Sequence, residues 1–197
     1  MLTVPRRYPV MWIALTTIVV VTALYALAYQ QRGAFPAASS LVGHGIGIVG
    51  FVLMLMTETL YSIRKLQTTA GLGNLAGWLR FHMVTGLVGP YMVLLHTSMR
   101  FSGLAGVAML LTVVVVISGL VGRYLYAGTG RTSEGAGALY PAEPAAAAGV
   151  DRTIEHAEAR RGALATWYSF HVPLTWALFL TALVHAGGAL YYATFQR

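Results

Sequence analysis

The chain has 197 residues, of which 57% are hydrophobic and only 10% charged, and its formal net charge is +7. Soluble domains run about 45–50% apolar and about 25% charged, so these few charges do not cover a water-soluble globule, and the apolar content excludes a disordered chain. No cysteine is present, which excludes disulfides, Cys-ligated zinc, iron–sulfur clusters and covalently attached c-type haem.

Five apolar blocks follow one another, at roughly 9–29, 41–63, 78–99, 104–126 and 167–193. Each is near the ~20 residues that a helix needs to cross a bilayer. Backbone polar groups in lipid must be paired within the segment, so the pattern predicts an all-α integral membrane protein, one domain with five transmembrane helices. The first block follows Arg6 and Arg7 and contains Ala26-Leu27-Ala28, as a cleavable signal peptide does. Its apolar run exceeds the ~7–15 residues of a signal h-region, so a retained anchor is expected. Between the fourth and fifth blocks, 127–166 is rich in Gly, Ala, Pro and charge. It is expected to be a cytoplasmic loop, with Asp151 as N-cap of a short surface helix over 151–161. There is no Gly-rich phosphate loop and no nucleotide-binding βαβ pattern.

Arg and Lys set the orientation. Arg6, Arg7, Arg64, Lys65, Arg80, Arg123, Arg131, Arg152, Arg160 and Arg161 fall on one side of the five spans, and Arg32, Arg100 and Arg197 on the other. The positive-inside rule then predicts a cytoplasmic N-terminus and an outside C-terminus. This bias, with attraction to anionic lipid headgroups, explains the net charge without a nucleic-acid partner. Trp12, Tyr61, Trp78, Tyr124, Tyr126, Trp167 and Tyr168 lie near the inner interface, and Tyr25, Tyr29, Tyr191 and Tyr192 near the outer one, as aromatic belts do.

Four intramembrane histidines carry the chemistry. His82 and His96 lie in the third span and His171 and His185 in the fifth, each pair fourteen residues apart. Fourteen steps of about 100° fall about 40° short of four turns, so each pair shares one helix face, with about 21 Å between its members. One span intervenes, so spans three and five run in the same direction. His82 is therefore expected at the depth of His171, and His96 at that of His185. Two stacked His–His pairs suit bis-imidazole ligation of two haem irons within a ~30 Å hydrocarbon core. A proton relay, a transporter and plain packing histidines are the other readings, since intramembrane ionisable groups are costly and functional by default. The pairs are too far apart to share one zinc or copper ion.

A flat macrocycle needs small neighbours. Gly43, Gly45, Gly47, Gly50, Gly86, Gly89, Gly103, Gly106, Gly119, Gly122, Gly187 and Gly188 are available, though ordinary small-residue helix packing uses glycine in the same way. Pro90 and Pro173 are placed to kink the two ligand helices. Haem propionates call for cations: Arg80 and Arg123 are candidates inside and Arg100 outside, with a topogenic charge as the alternative for each. His44, at the start of span two, suits a quinone headgroup or a substitute ligand, or packs locally. Glu58, toward the inner end of the same span, suits a quinone proton, or accepts a hydrogen bond from Arg64 or Tyr61. His156 falls in the polar loop and is expected to be solvated.

The paired spacings of His82/His96 and His171/His185, with one span between them, resemble the ferric-reductase-like transmembrane domain. That superfamily includes NADPH oxidases, ferric reductases and small bacterial haem-b membrane subunits. The stretch Ser118-Gly119-Leu120-Val121-Gly122-Arg123-Tyr124-Leu125-Tyr126 is also similar to a segment of bacterial members. The resemblance spans roughly 41–193. It implies a haem-binding four-helix bundle built from helices two to five, two haems b with the four histidines as axial ligands, and electron transfer across the bacterial inner membrane. Members often have six spans against the five counted here. The oxidases and reductases also carry a cytoplasmic FAD/NADPH domain, for which these residues hold no counterpart.

The function expected is therefore that of a dihaem membrane cytochrome b, the electron-transfer subunit of an oxidoreductase. Quinone or quinol is its preferred mobile partner, and another redox protein or a larger complex its second. An accessory scaffold subunit and a proton-coupled transporter are the alternatives from other classes.

Overall fold

A computed structural model describes residues 9–66, 75–136 and 144–195. These form α1 (Pro9–Arg32), α2 (Leu41–Leu66), α3 (Leu75–His96), α4 (Gly103–Ala136) and α5 (Pro144–Phe195), with no strand among the described residues. Stretches in four of the helices are long and apolar enough to cross a bilayer: Val10–Arg32, Leu41–Leu60, Gly103–Leu125 and Arg161–Tyr192. The chain is an all-α membrane protein. Large apolar side chains such as Val19, Leu24, Leu110, Val184 and Leu190 are exposed along these helices. That is stable where the solvent is lipid.

The remaining expected span, 78–99, forms α3. Its 22 residues correspond to about 33 Å of helix, but Arg80, His82, Pro90, Tyr91 and His96 dilute its apolar character. The expected loop 127–166 is largely helix, since α4 runs to Ala136 and α5 starts at Pro144. Alanine, the strongest helix former, fills 145–148 and recurs at Ala157, Ala159, Ala163 and Ala165, and this outweighs the glycines and charges. Positions 151–161 are an internal part of α5 rather than a separate helix, so Asp151 does not stand at a helix N-terminus. Residues 137–143 lie outside the described residues.

The chain divides into two compact units, Met1–Gly106 and Val107–Arg197. In the first, α3 packs against both α2 and α1. Close approach to α2 rests on glycine. A Cβ on Gly50 would lie 2.9 Å from the Gly89 carbonyl oxygen, and one on Gly89 would lie 3.0 Å from that of Gly50. Bare backbone at both positions lets the two helices touch. Against α1, Tyr91 Oη and Thr22 Oγ1 are 2.5 Å apart, and Tyr25 Oη donates to the Leu95 carbonyl at 3.3 Å.

The end of this unit that carries residues 33–40 and 97–102 is tied down by short polar links. Ser40 is the N-cap of α2, its hydroxyl oxygen accepting the Gly43 N–H at 3.1 Å, which satisfies one of the orphan amides of the first turn. After His96 the chain turns through left-handed backbone at Ser98 (φ 49°) and Met99 (φ 61°), a common way to end a helix. The Ser98 hydroxyl then donates to the Pro36 carbonyl at 2.6 Å. In the second unit, α4 and α5 meet through Ser118, Gly119 and Gly122 on one side and Trp167 and His171 on the other.

Candidate functional site

Both histidines of α3 are half-buried and both are tethered to α2. His82 Nδ1 lies 3.0 Å from the Thr57 carbonyl oxygen, and His96 Nδ1 lies 2.8 Å from that of Gly43. A carbonyl oxygen only accepts, so Nδ1 carries the proton in each ring and Nε2 carries the lone pair. Thr57 and Gly43 are themselves fourteen residues apart, so the spacing of the two rings on α3 is matched by that of their acceptors on the antiparallel α2. Metal-binding histidines are usually oriented in this way, with the non-ligating N–H given to a carbonyl or carboxylate.

The surroundings of each ring differ. At His82, the Thr57 hydroxyl donates to the Thr85 hydroxyl at 2.6 Å, and Thr85 Oγ1 donates to the Phe81 carbonyl at 2.8 Å. Both threonines are buried, so the acceptor carbonyl of Thr57 belongs to a residue that is itself locked to α3. At His96, a Cβ on Gly47 would come within 2.7 Å of ring atoms Cγ and Nδ1. Glycine there is what seats the imidazole flat against α2. His44 is exposed, with its ring centroid 6.2 Å from that of His96 and the planes at 58°. Glu58 is half-buried beside Thr57 in sequence. Arg80 and Arg100 are exposed, and neither makes a side-chain hydrogen bond or ion pair to a histidine among the described residues.

In the second unit, His171 is fixed from two directions. Its Nδ1 is 3.0 Å from the Ser118 hydroxyl oxygen. Its ring stacks on Trp167, one helical turn earlier, at 4.7 Å between centroids and 23° between planes. The Trp167 indole N–H donates to the Ser118 carbonyl at 2.7 Å and to the Ser118 hydroxyl at 3.1 Å. A Cβ on Gly122 would collide with the indole ring, whereas one on Gly119 would meet His171 Cε1 at 3.7 Å, an ordinary contact. Arg123 is half-buried on α4, next to Gly122. His185 is half-buried fourteen residues after His171 and has no hydrogen-bond partner among the described residues.

The chain matches no family model, no curated protein and no solved structure.

Of the residues singled out by sequence, His44 and His96 come together, while His82 and His96 are each held by α2. The glycines divide by use. Gly47 faces an imidazole, Gly50 and Gly89 bring two backbones together, and Gly45, Gly187 and Gly188 have nothing within 4 Å of a Cβ. Sequence reasoning missed the carbonyl acceptors of Thr57 and Gly43, because any residue supplies a carbonyl. It also missed Ser118 and Trp167 as partners of His171. The signal there was the spacing of Trp167 and His171, four apart on one helix face. Among the described residues no group of three or more His, Asp or Glu side chains converges. The proton on Nδ1 of His82 and His96 leaves the lone pair on Nε2, the donor that a metal centre would require of each ring.

Proposed function

We propose that this chain is a dihaem membrane cytochrome b of the ferric-reductase-like type. It carries electrons across a bacterial inner membrane, between a quinone pool or cytoplasmic-side donor and a redox partner protein, as a subunit of a larger complex. The supporting observation is the twin tether on α3: two imidazoles fourteen residues apart, each giving Nδ1–H to a backbone carbonyl of α2, and those carbonyls fourteen residues apart in turn. What favours ligands is that each ring gives Nδ1–H to a carbonyl and keeps the lone pair on Nε2, the orientation usual for metal-binding histidines.

In this reading α3 also crosses the bilayer, which makes five spans, and helices two to five form the haem-binding bundle. The N-terminus is cytoplasmic and the C-terminus outside. His82 and His171 would hold the inner haem, and His96 and His185 the outer one. This pairing rests on the equal spacings and on the shared direction of spans three and five. Haem b supplies one-electron transfer at its iron when bound. The protein's part is to fix ring orientation and basicity through the Nδ1 acceptors, and to exclude water with the buried Thr57–Thr85 pair and its apolar surroundings. Arg80 and Arg123 inside, and Arg100 outside, supply positive charge for propionates. His44, beside His96, and Glu58 are the groups assigned to a quinone headgroup and its proton.

The test is a haem b assay with a reduced-minus-oxidised spectrum on purified protein and on the four single His→Ala variants. Two haems per chain are expected, with His82→Ala and His171→Ala losing one and His96→Ala and His185→Ala the other.

A further inference from the structure

The two imidazoles of α3 lean on backbone carbonyls, which no side-chain substitution removes. His171 leans on a side chain. Its Nδ1 meets the Ser118 hydroxyl at 3.0 Å, and that hydroxyl also receives the Trp167 indole N–H at 3.1 Å. A serine oxygen has two acceptor lone pairs. The indole N–H takes one, and with Nε2 of His171 given to a metal the ring proton sits on Nδ1, so the imidazole N–H takes the other. Trp167 acts twice, because its ring also lies against the imidazole at 4.7 Å and 23°. The stack sets the plane of the ring, and the hydroxyl sets its rotation within that plane. Gly122 completes the arrangement, since a methyl there would collide with the indole. Three residues on two helices, Ser118, Gly122 and Trp167, thus fix one imidazole.

We infer that Ser118, held by Trp167, is the positioning residue for His171 and sets the electron-donating strength of that ligand. The inference rests on the haem reading above. An imidazole that gives its Nδ1–H to an acceptor gains partial imidazolate character and donates more strongly through Nε2. That favours the oxidised iron and lowers the potential. Removing the acceptor raises it.

The test compares wild type, Ser118→Ala, Ser118→Thr and Trp167→Phe by haem b count per chain, potentiometric titration and the low-spin electron paramagnetic resonance signal. Ser118→Ala is expected to keep two haems, raise the midpoint of one of them and alter the signal of that haem alone. Ser118→Thr, which keeps the hydroxyl, is expected to return both to wild type. Trp167→Phe is expected to shift the same haem only. If Ser118→Ala loses that haem outright, Ser118→Thr decides. Two haems at the wild-type midpoint support the hydroxyl's role, and loss there as well overturns it. Two haems with midpoints and signals unchanged in Ser118→Ala overturn the inference and leave the haem reading standing, as does a shift in Ser118→Thr equal to that in Ser118→Ala. A wild-type protein without haem overturns both.

Discussion

Gly47→Ala places one methyl where the structure has no room for it. The added Cβ would sit 2.7 Å from Cγ and Nδ1 of His96, about 1 Å inside a normal carbon contact. The helices do not readily part to make space, because Gly50 and Gly89 already bring their backbones together. The ring must move instead. A displacement of about 1 Å carries Nδ1 beyond hydrogen-bonding range of the Gly43 carbonyl, now at 2.8 Å. Overpacking costs roughly 1–3 kcal/mol and the lost bond about 1 kcal/mol, so the variant should lose roughly 2–4 kcal/mol. For a chain of this size that lowers the thermal midpoint by roughly 5–15 °C. The control is two residues away. Gly45 has nothing within 4 Å of its Cβ, so Gly45→Ala should gain up to about 1 kcal/mol from helix propensity. Thermal unfolding of both variants in the same detergent, followed by circular dichroism, separates them. Equal midpoints for Gly47→Ala and Gly45→Ala would refute the seating of His96 on α2.

Three further outcomes are expected. Thr57→Val and Thr85→Val each remove the hydroxyl link between α2 and α3, and a double-mutant cycle on unfolding should show coupling of about 0.6–1.7 kcal/mol, the range for hydrogen bonds inside membranes; a coupling of zero contradicts the link. Gly122→Ala should displace the Trp167 indole, read as a shift of its fluorescence maximum and a loss of stability of roughly 1–3 kcal/mol; an unchanged spectrum contradicts the contact. Reporter fusions at the two termini should report opposite sides of the membrane if α3 spans with the other four helices, whereas the same side for both means that it does not.

The helices were legible where chemistry is uniform. The blocks that became α1 and α4 are rich in Val, Leu, Ile and Ala, and that of α2 in Leu, Ile, Val, Gly and Met, and lipid leaves such apolar runs no alternative to helix. The third block was legible as a helix by its length, although its own histidines, arginine and proline keep α3 out of the stretches apolar enough by composition to cross a bilayer. The segment 127–166 was misread because glycine, proline and charge resemble a loop, whereas the alanines between them favour helix. At the candidate site, the histidine spacing could be read directly, since a fourteen-step register is a property of sequence. The acceptors could not. A carbonyl has no residue signature, so the roles of Thr57 and Gly43 emerged only from the way α2 lies against α3. Trp167 reads in sequence as an interfacial aromatic; its bonds to Ser118 depend on Gly122 making room on a different helix. Gly50 and Gly89 were noted as clearance for a flat cofactor, and the structure uses them to bring two backbones together.

The most direct test of the central claim is the haem b content of the purified chain, measured by pyridine haemochrome with a dithionite-reduced difference spectrum. Two haems b per polypeptide are predicted, one lost in His82→Ala and His171→Ala and the other in His96→Ala and His185→Ala. A folded, colourless protein contradicts the claim, and losses that follow any other pairing contradict the assignment of ligands.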